Sequence, residues 1–231
     1  MKYDNLIFEK TGQMAVLRLN RPEAFNALNI ALFEDIINAL EVCEADNDIK
    51  VVLITGRDKV FCSGGDVAMF SRSPEPGDAI RQLTKRLYYA ISGIRKLPKP
   101  VIAMINGTTA GVGMSLAAAC DLRICASSAK FRQAYTSLGL TPDGAWFLLI
   151  SLLIGFTKAS ELAFLDPVYN ANEALSMGLV NKVVEDSELE DTSFQIARKL
   201  ASGATVSYAI VKENFNEALL FSLERMLELE R

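Results

Sequence analysis

PVIAMINGTTAGVGMSLAAACD, residues 100–121, carries a strand, a glycine-rich turn and a helix in one uninterrupted stretch. The run from Val101 to Ile105 is apolar throughout and long enough for one buried β-strand. The chain turns at Asn106-Gly107, loosens through Gly111 and Gly113, and enters an alanine-rich helix predicted from Met114 to Cys120. A strand that passes through glycines into a helix leaves backbone N–H groups free at the positive helix end. Such a place suits an anion, or an oxygen that becomes anionic during a reaction.

The same grammar recurs upstream. Val51 to Thr55 is a second apolar strand, and the loop FCSGGD, residues 61–66, comes after it with two glycines. Neither loop is a P-loop or a G-x-G-x-x-G fingerprint. In an α/β sheet both emerge at the carboxyl ends of strands, where ligands bind. A hairpin is predicted from Leu6 to Lys10 and Met14 to Leu19 across Thr11-Gly12, and a helix from Ile30 to Asp46. Residues 71–78, with two prolines and a glycine, read as an exposed mobile loop before a helix over 79–96. Further strands are predicted at 122–125, 130–134 and 180–184. Helices are predicted at 145–154, 158–165, 172–177, 188–202 and 206–231. Strands alternating with helices predict an α/β core with a helical C-terminal end, and no residue-level repeat is legible.

Composition excludes several function classes. The 231 residues are 50% hydrophobic and 23% charged, which suits one domain with a small helical appendage. A net charge of −4 disfavours a nucleic-acid partner. The longest apolar candidate, residues 145–156, falls short of the roughly 18 residues of a membrane span and reads as a buried helix. The acidic, alternating start is no signal peptide, so a cytoplasmic location and no membrane partner are expected. With no histidine, Ser-His and Cys-His machinery is excluded. Cys43, Cys62, Cys120 and Cys125 lack metal-ligand spacing and are expected as buried free thiols. Acid–base chemistry then falls to carboxylates, Tyr, Lys or Cys.

Five ordered segments carry a resemblance. RPEAFNAL (21–28), FCSGGDV (61–67), KPVIAMINGTTAGVGMSLAAACDLRIC (99–125), AKF (129–131) and EALSMGLVNKVV (173–184) are similar to the enoyl-CoA hydratase/isomerase (crotonase) superfamily over essentially the whole chain. The resemblance implies a spiral of ββα turns: an acyl-CoA-binding core over 1–190 and a C-terminal helical oligomerisation region over 191–231. It implies assembly as a homotrimer or hexamer, and a further C-terminal segment over the acyl pocket or a neighbouring subunit. It also implies an acyl-CoA thioester as substrate and no resident cofactor, coenzyme A being part of that substrate. The backbone N–H groups matching the family's oxyanion hole belong to Gly65 and Val112, where the family often has glycine at the second position. Segments matching the CoA and substrate contacts include Ala24, Ala27, Ser63, Asp66, Val67 and Ala68, with Gly111 and Tyr135 also at the site.

The hydratase pattern is broken. The two glutamates of family hydratases fall at Ser115 and Tyr135, neither of which can supply a carboxylate. Asp143, in GLTPDG, matches the catalytic aspartate of the family's ring-opening and double-bond-shifting isomerases and of its aryl-CoA dehalogenases. Those dehalogenases carry a tryptophan where Tyr135 stands and a histidine that this chain lacks. One carboxylate suffices for a 1,3-proton shift, and the apolar Leu140, Trp146 and Phe147 are placed to raise its pKa by desolvation. Pro142-Asp143-Gly144 before an apolar run is equally a helix-cap signature. The expected function is therefore an enoyl-CoA isomerase of fatty-acid or aromatic acyl-CoA metabolism, working through Asp143. The alternatives are a hydratase (lyase) with atypical residues and a catalytically silent acyl-CoA-binding relative. Asp66 is expected as a loop anchor, and Ser115 as a space-filler.

Overall fold

The computed structural model describes residues 3–219 and 223–230. The chain opens with the antiparallel pair β1 (Leu6–Thr11) and β2 (Met14–Leu19), then α1 (Ile30–Ala45), whose first turn is capped by Asn29 accepting from the Leu32 N–H. From α1 onward the chain winds into a spiral. Each turn lays one strand into a large sheet and a shorter one into a small sheet, and then runs into helix. The turns are β3 (Val51–Gly56), β4 (Val60–Cys62), α2 (Val67–Arg72) and α3 (Pro76–Lys96); β5 (Val101–Ile105), β6 (Thr108–Ala110) and α4 (Val112–Ala119); and β7 (Leu122–Ala126), β8 (Lys130–Arg132) and α5 (Trp146–Leu165). Then come β9 (Tyr169–Asn170), α6 (Ala171–Ser176), β10 (Lys182–Val184), α7 (Leu189–Ala201), α8 (Thr205–Leu219) and α9 (Leu223–Leu229). The large sheet runs β1-β2-β3-β5-β7-β10 and the small one β4-β6-β8-β9. The repeat that no residue pattern revealed is thus present in the backbone.

The large sheet is covered on both faces, which is why β3 and β5 read as continuous apolar runs. Val52 and Ile54 face the main core with α1, α3 and α4, while Val51 and Leu53 face the opposite side, where Leu189, Ala197 and Ala201 of α7 cover them. All four cysteines are free and buried. Burial pushes the Cys62 thiol up to about 12, so it is no nucleophile at neutral pH.

Several boundaries differ from expectation. The supposed loop over 71–78 is mostly helix, because Pro76 opens α3 at a position whose N–H has no intrahelical partner anyway. The helix predicted over 206–231 is described as α8 and α9, and residues 220–222 between them lie outside the described residues. The helices predicted at 145–154 and 158–165 join as α5 across Gly155, whose φ of 75° and ψ of 158° break the helical path. By length and composition alone α5 could cross a membrane; a third of its most apolar window is buried here. The stretch 145–156, expected as a buried helix, is buried at Trp146, Leu149 and Ile150 but leaves Phe156 80% exposed.

Asp121, at the end of the opening stretch, ties the helical C-terminal end to the sheet. Its carboxylate accepts from Arg95 Nη1 (2.9 Å), Lys212 Nζ (2.8 Å) and the Val101 N–H (2.8 Å). Arg95 and Lys212 are buried, so removing the shared anion strands two cations away from water. Asp121→Ala is expected to cost about 3–5 kcal/mol, read as a lowered denaturant midpoint with activity per folded molecule unchanged.

Candidate active site

Neighbouring parallel strands of the small sheet aim the two glycine loops side by side. β4 runs into Ser63-Gly64-Gly65, and its partner β6 runs into Gly111-Val112. The loops touch: a Cβ on Gly111 (φ 52°) would lie 3.4 Å from Gly64 Cα. Gly113 is required for another reason, since a Cβ there would meet the Cys62 carbonyl oxygen at 2.6 Å. Leu28 bridges to the first loop by donating to the Gly64 carbonyl and accepting from the Asp66 N–H, which leaves the Gly65 N–H out of the bridge. Val112 is the first residue of α4, so its N–H has no intrahelical acceptor.

Gly65 and Val112 line one cavity of about 110 Å³ together with Ser63, Gly64, Val67, Gly111, Tyr135 and Asp143. Its remaining walls are largely apolar, among them Phe33, Phe70, Leu83, Leu87, Leu138 and Leu140. Asp143 is the one carboxylate on this lining among the described residues. Of the three neighbours expected to desolvate it, only Leu140 lines the cavity; Trp146 is sealed in the core and Phe147 is partly exposed. Burial among the cavity's apolar walls raises the Asp143 carboxyl to about 6, against the hydrogen bond from Tyr135, which lowers it. Asp143 is not the cap of α5 either: Ala145 takes the N-cap position and has no side-chain acceptor of its own.

The two residues at the hydratase-glutamate positions converge on Asp143. Tyr135 Oη donates to Asp143 Oδ1 at 2.6 Å, and Ser115 Oγ donates to the Asp143 carbonyl at 2.7 Å. Ser115 is therefore more than a space-filler. Burial, then the Asp143 charge, push the Tyr135 hydroxyl well above its ordinary value, so it remains a protonated donor. Gly144 (φ 70°) completes the turn; a Cβ there would meet Ser115 Cβ at 2.9 Å.

The other residues singled out in the sequence fall into two places. Ala24, Asp66 and Ala68 line a separate, open depression of about 480 Å³ with Arg21, Met69 and Ser73. Ala27 is buried and lines neither cavity, though its carbonyl accepts from Arg21 Nη1. Asp66 is the anchor expected: it caps α2 through the Met69 N–H and pairs with Arg21 Nη2 at 2.9 Å. A larger cleft of about 540 Å³ between α3, α8 and α9 has Arg95 and Lys212 in its lining, both already engaged with Asp121. Sequence reasoning missed Glu230, whose Oε1 and Oε2 accept from the Ala145 N–H at 3.1 and 2.9 Å. Burial, partly offset by that hydrogen bond, and the nearby Asp143 charge raise its carboxyl to about 7. No local pattern in the sequence pointed to it.

Two N–H groups without intrahelical or bridge partners and one desolvated carboxylate on a single apolar cavity can hold a developing enolate while a proton is moved. Comparisons with known proteins give the family. Residues 9–231 match the family model described as enoyl-CoA hydratase/isomerase. The chain is 33% identical over 218 residues to a trans-2-decenoyl-[acyl-carrier-protein] isomerase of Streptococcus mutans, covering 92% of this chain and 82% of that protein. It is 36% identical over 232 residues to a short-chain-enoyl-CoA hydratase of Clostridium acetobutylicum, covering 100% of this chain and 88% of that protein. Its backbone superposes on the crystal structure of an enoyl-CoA hydratase from Mycobacterium avium subsp. paratuberculosis with a TM-score of 0.92 and 31% identity, over 100% of this chain and 92% of that one. Spiral, paired glycine loops and sequence match coincide over the same residues, and the chain belongs to the enoyl-CoA hydratase/isomerase family of the crotonase superfamily.

Proposed function

We propose that this protein is an enoyl-thioester isomerase that moves a double bond by a 1,3-proton shift with Asp143 as its base. The observation that carries the reading is the convergence on Asp143. A hydratase needs two carboxylates, and here the two matching positions, Ser115 and Tyr135, serve to hold a third residue instead. In the reaction the thioester carbonyl of a 3-enoyl substrate accepts from the Gly65 and Val112 N–H groups. Asp143 removes a proton from the carbon next to that carbonyl, and the electron pair it leaves at C2 delocalises onto the carbonyl oxygen and, across C3=C4, onto C4. The same carboxyl then returns the proton to C4, leaving the double bond between C2 and C3, in conjugation. No atom is gained or lost. A carboxyl near 6 suits both halves, since it accepts and returns the proton near neutrality.

The depression around Ala24, Asp66 and Ala68 is the place proposed for the coenzyme A portion, with Val67 between it and the reacting end. A cavity of about 110 Å³ is small beside the roughly 300–1,000 Å³ of pockets that enclose drug-sized ligands, which favours a short acyl segment. The exposed Phe156 and Phe164 of α5 and Val206, Ile210 and Phe215 of α8 support the proposed assembly into trimers or hexamers.

The test is direct. Purified protein mixed with 3-enoyl-CoA should generate the absorbance of the conjugated thioester, and with 2-enoyl-CoA should add no water. Hydration without isomerisation would replace this reading with the lyase; tight binding without turnover would replace it with a silent binding protein. The Tyr135 hydrogen bond makes a sharper prediction. Tyr135→Phe removes a donor that holds the Asp143 carboxyl down, so its pKa moves further up. Because only the ionised carboxylate can take the proton, the acid limb of the kcat/KM profile is expected to move to higher pH by about one unit. Loss of activity is then large at pH 6 and small at pH 9. An unshifted limb would show that the hydroxyl does not act on the base.

A further inference from the structure

The geometry points to Glu230 as the positioning residue of the catalytic turn, clamping the backbone that follows Asp143 so that its carboxylate faces the substrate. This rests on the reading of Asp143 as the base. Asp143, Gly144 and Ala145 leave a buried proline and enter α5 through two consecutive left-handed residues, with φ of 70° at Gly144 and 58° at Ala145. A left-handed backbone is unfavourable for alanine, and such strain persists only where the surroundings over-determine it. Two groups do so here from opposite sides. Ser115 Oγ of α4 holds the Asp143 carbonyl, while both oxygens of Glu230 hold the Ala145 N–H. Without Glu230, the start of α5 has no side-chain acceptor, because Ala145 cannot cap itself.

Glu230 comes from the far end of the described chain. It is delivered by α9, which docks on α3 through the buried Leu223 and Leu227 and the Lys96–Glu224 ion pair at 2.5 Å. It does not line the acyl cavity, so it acts through the turn and not on the substrate. The groups that face the two carboxyls are few. Tyr135 acts on Asp143, Asp143 acts on Glu230, Ser115 of α4 offers an uncharged hydroxyl, and α3 brings Leu87 against Gly144. Burial is the main influence on both carboxyls, and the Asp143 charge raises Glu230 further, so the two titrations are linked.

Glu230→Ala and Glu230→Gln in the full chain test this. With 3-enoyl-CoA as substrate, Glu230→Ala is expected to lower kcat about tenfold with KM within about twofold, since misplacing a base by a fraction of an ångström costs turnover before binding. Glu230→Gln keeps one acceptor and restores kcat to within about threefold of wild type. Independently of activity, the ¹³Cγ resonance of Asp143, assigned by its absence in Asp143→Asn, should titrate in two steps in the wild type and in one step in Glu230→Gln. A kcat within twofold of wild type for Glu230→Ala, or an Asp143 titration identical in wild type and Glu230→Gln, overturns the inference. If Glu230→Ala does not fold, the glutamine variant and the titration decide. If the wild type isomerises nothing, the reading of its function fails, and the titration alone still decides the clamp.

Discussion

Asp143→Asn is expected to abolish isomerisation and, in the same molecule, to raise stability in mildly alkaline buffer. The two effects have one cause. A carboxyl lifted from 3.8 to about 6 by burial is a base suited to neutral pH, and for the same reason a charge the fold resists. Proton counting gives the sign. Between those two values the unfolded chain has released a proton that the folded chain still holds. Stability therefore falls as pH rises through this window, and the deficit stays constant above it. At about 1.4 kcal/mol for each pKa unit, the deficit is about 3 kcal/mol at pH 8. Asparagine has the shape of aspartate and no charge. Its side-chain oxygen still accepts from Tyr135, and the backbone carbonyl still accepts from Ser115. Thermal unfolding should accordingly show a gain of about 6–10 °C at pH 8 that vanishes below pH 4. Turnover of 3-enoyl-CoA should fall by about 10²–10⁴-fold, the range typical of a lost general base. A variant that keeps its activity shows that another group moves the proton. A variant no more stable than wild type at pH 8 shows that the carboxyl is not desolvated.

How much of this could be read from the residues alone depends on how far apart in the chain the interacting groups lie. The strands Val51–Gly56 and Val101–Ile105 were legible because burial on both faces writes itself as an unbroken apolar run. Asn106 and Gly107 marked a real turn, which Asn106 fastens by accepting from the Gly56 N–H at 3.0 Å. Of the small sheet only Lys130–Arg132 was legible, inside the strand expected over 130–134; Val60–Cys62 and Thr108–Ala110 are too short to establish any period. They were absorbed into the glycine loops they launch, so the loops' common origin on adjacent strands stayed hidden. The site was half visible. What Ser115 and Tyr135 lack could be read from their side chains, but that both hydroxyls close on Asp143 depends on α4 packing beneath the turn, which no local signal encodes. Glu230 lies in a stretch of ordinary amphipathic helix composition and meets Ala145 across 85 residues of chain. Contacts of that separation come from topology, and topology was the part supplied by resemblance.

One of the two proposed oxyanion donors can be removed at a single backbone atom. Val112→Pro is expected to lower kcat for isomerisation by about 10²–10³-fold, the usual cost of deleting one oxyanion-hole donor. Proline anywhere else in α4 would break the helix, but Val112 is its first residue, where proline's fixed φ is already helical and the N–H is in no helical bond. The residue before it, Gly111, sits at φ 52° and ψ −131°, outside the α region that a following proline forbids. The Gly111 N–H, which donates to the Arg132 carbonyl at 3.1 Å, is untouched. Val112→Ala serves as the control: it trims the buried side chain and keeps the donor, so it should lose about 1–2 kcal/mol of stability and little turnover. The pair separates the two roles of the position. If both variants lose turnover equally, the side chain matters and the N–H does not. If proline alone loses it, with binding of coenzyme A retained and an unchanged circular dichroism spectrum, the Val112 N–H is the donor on which the enolate depends.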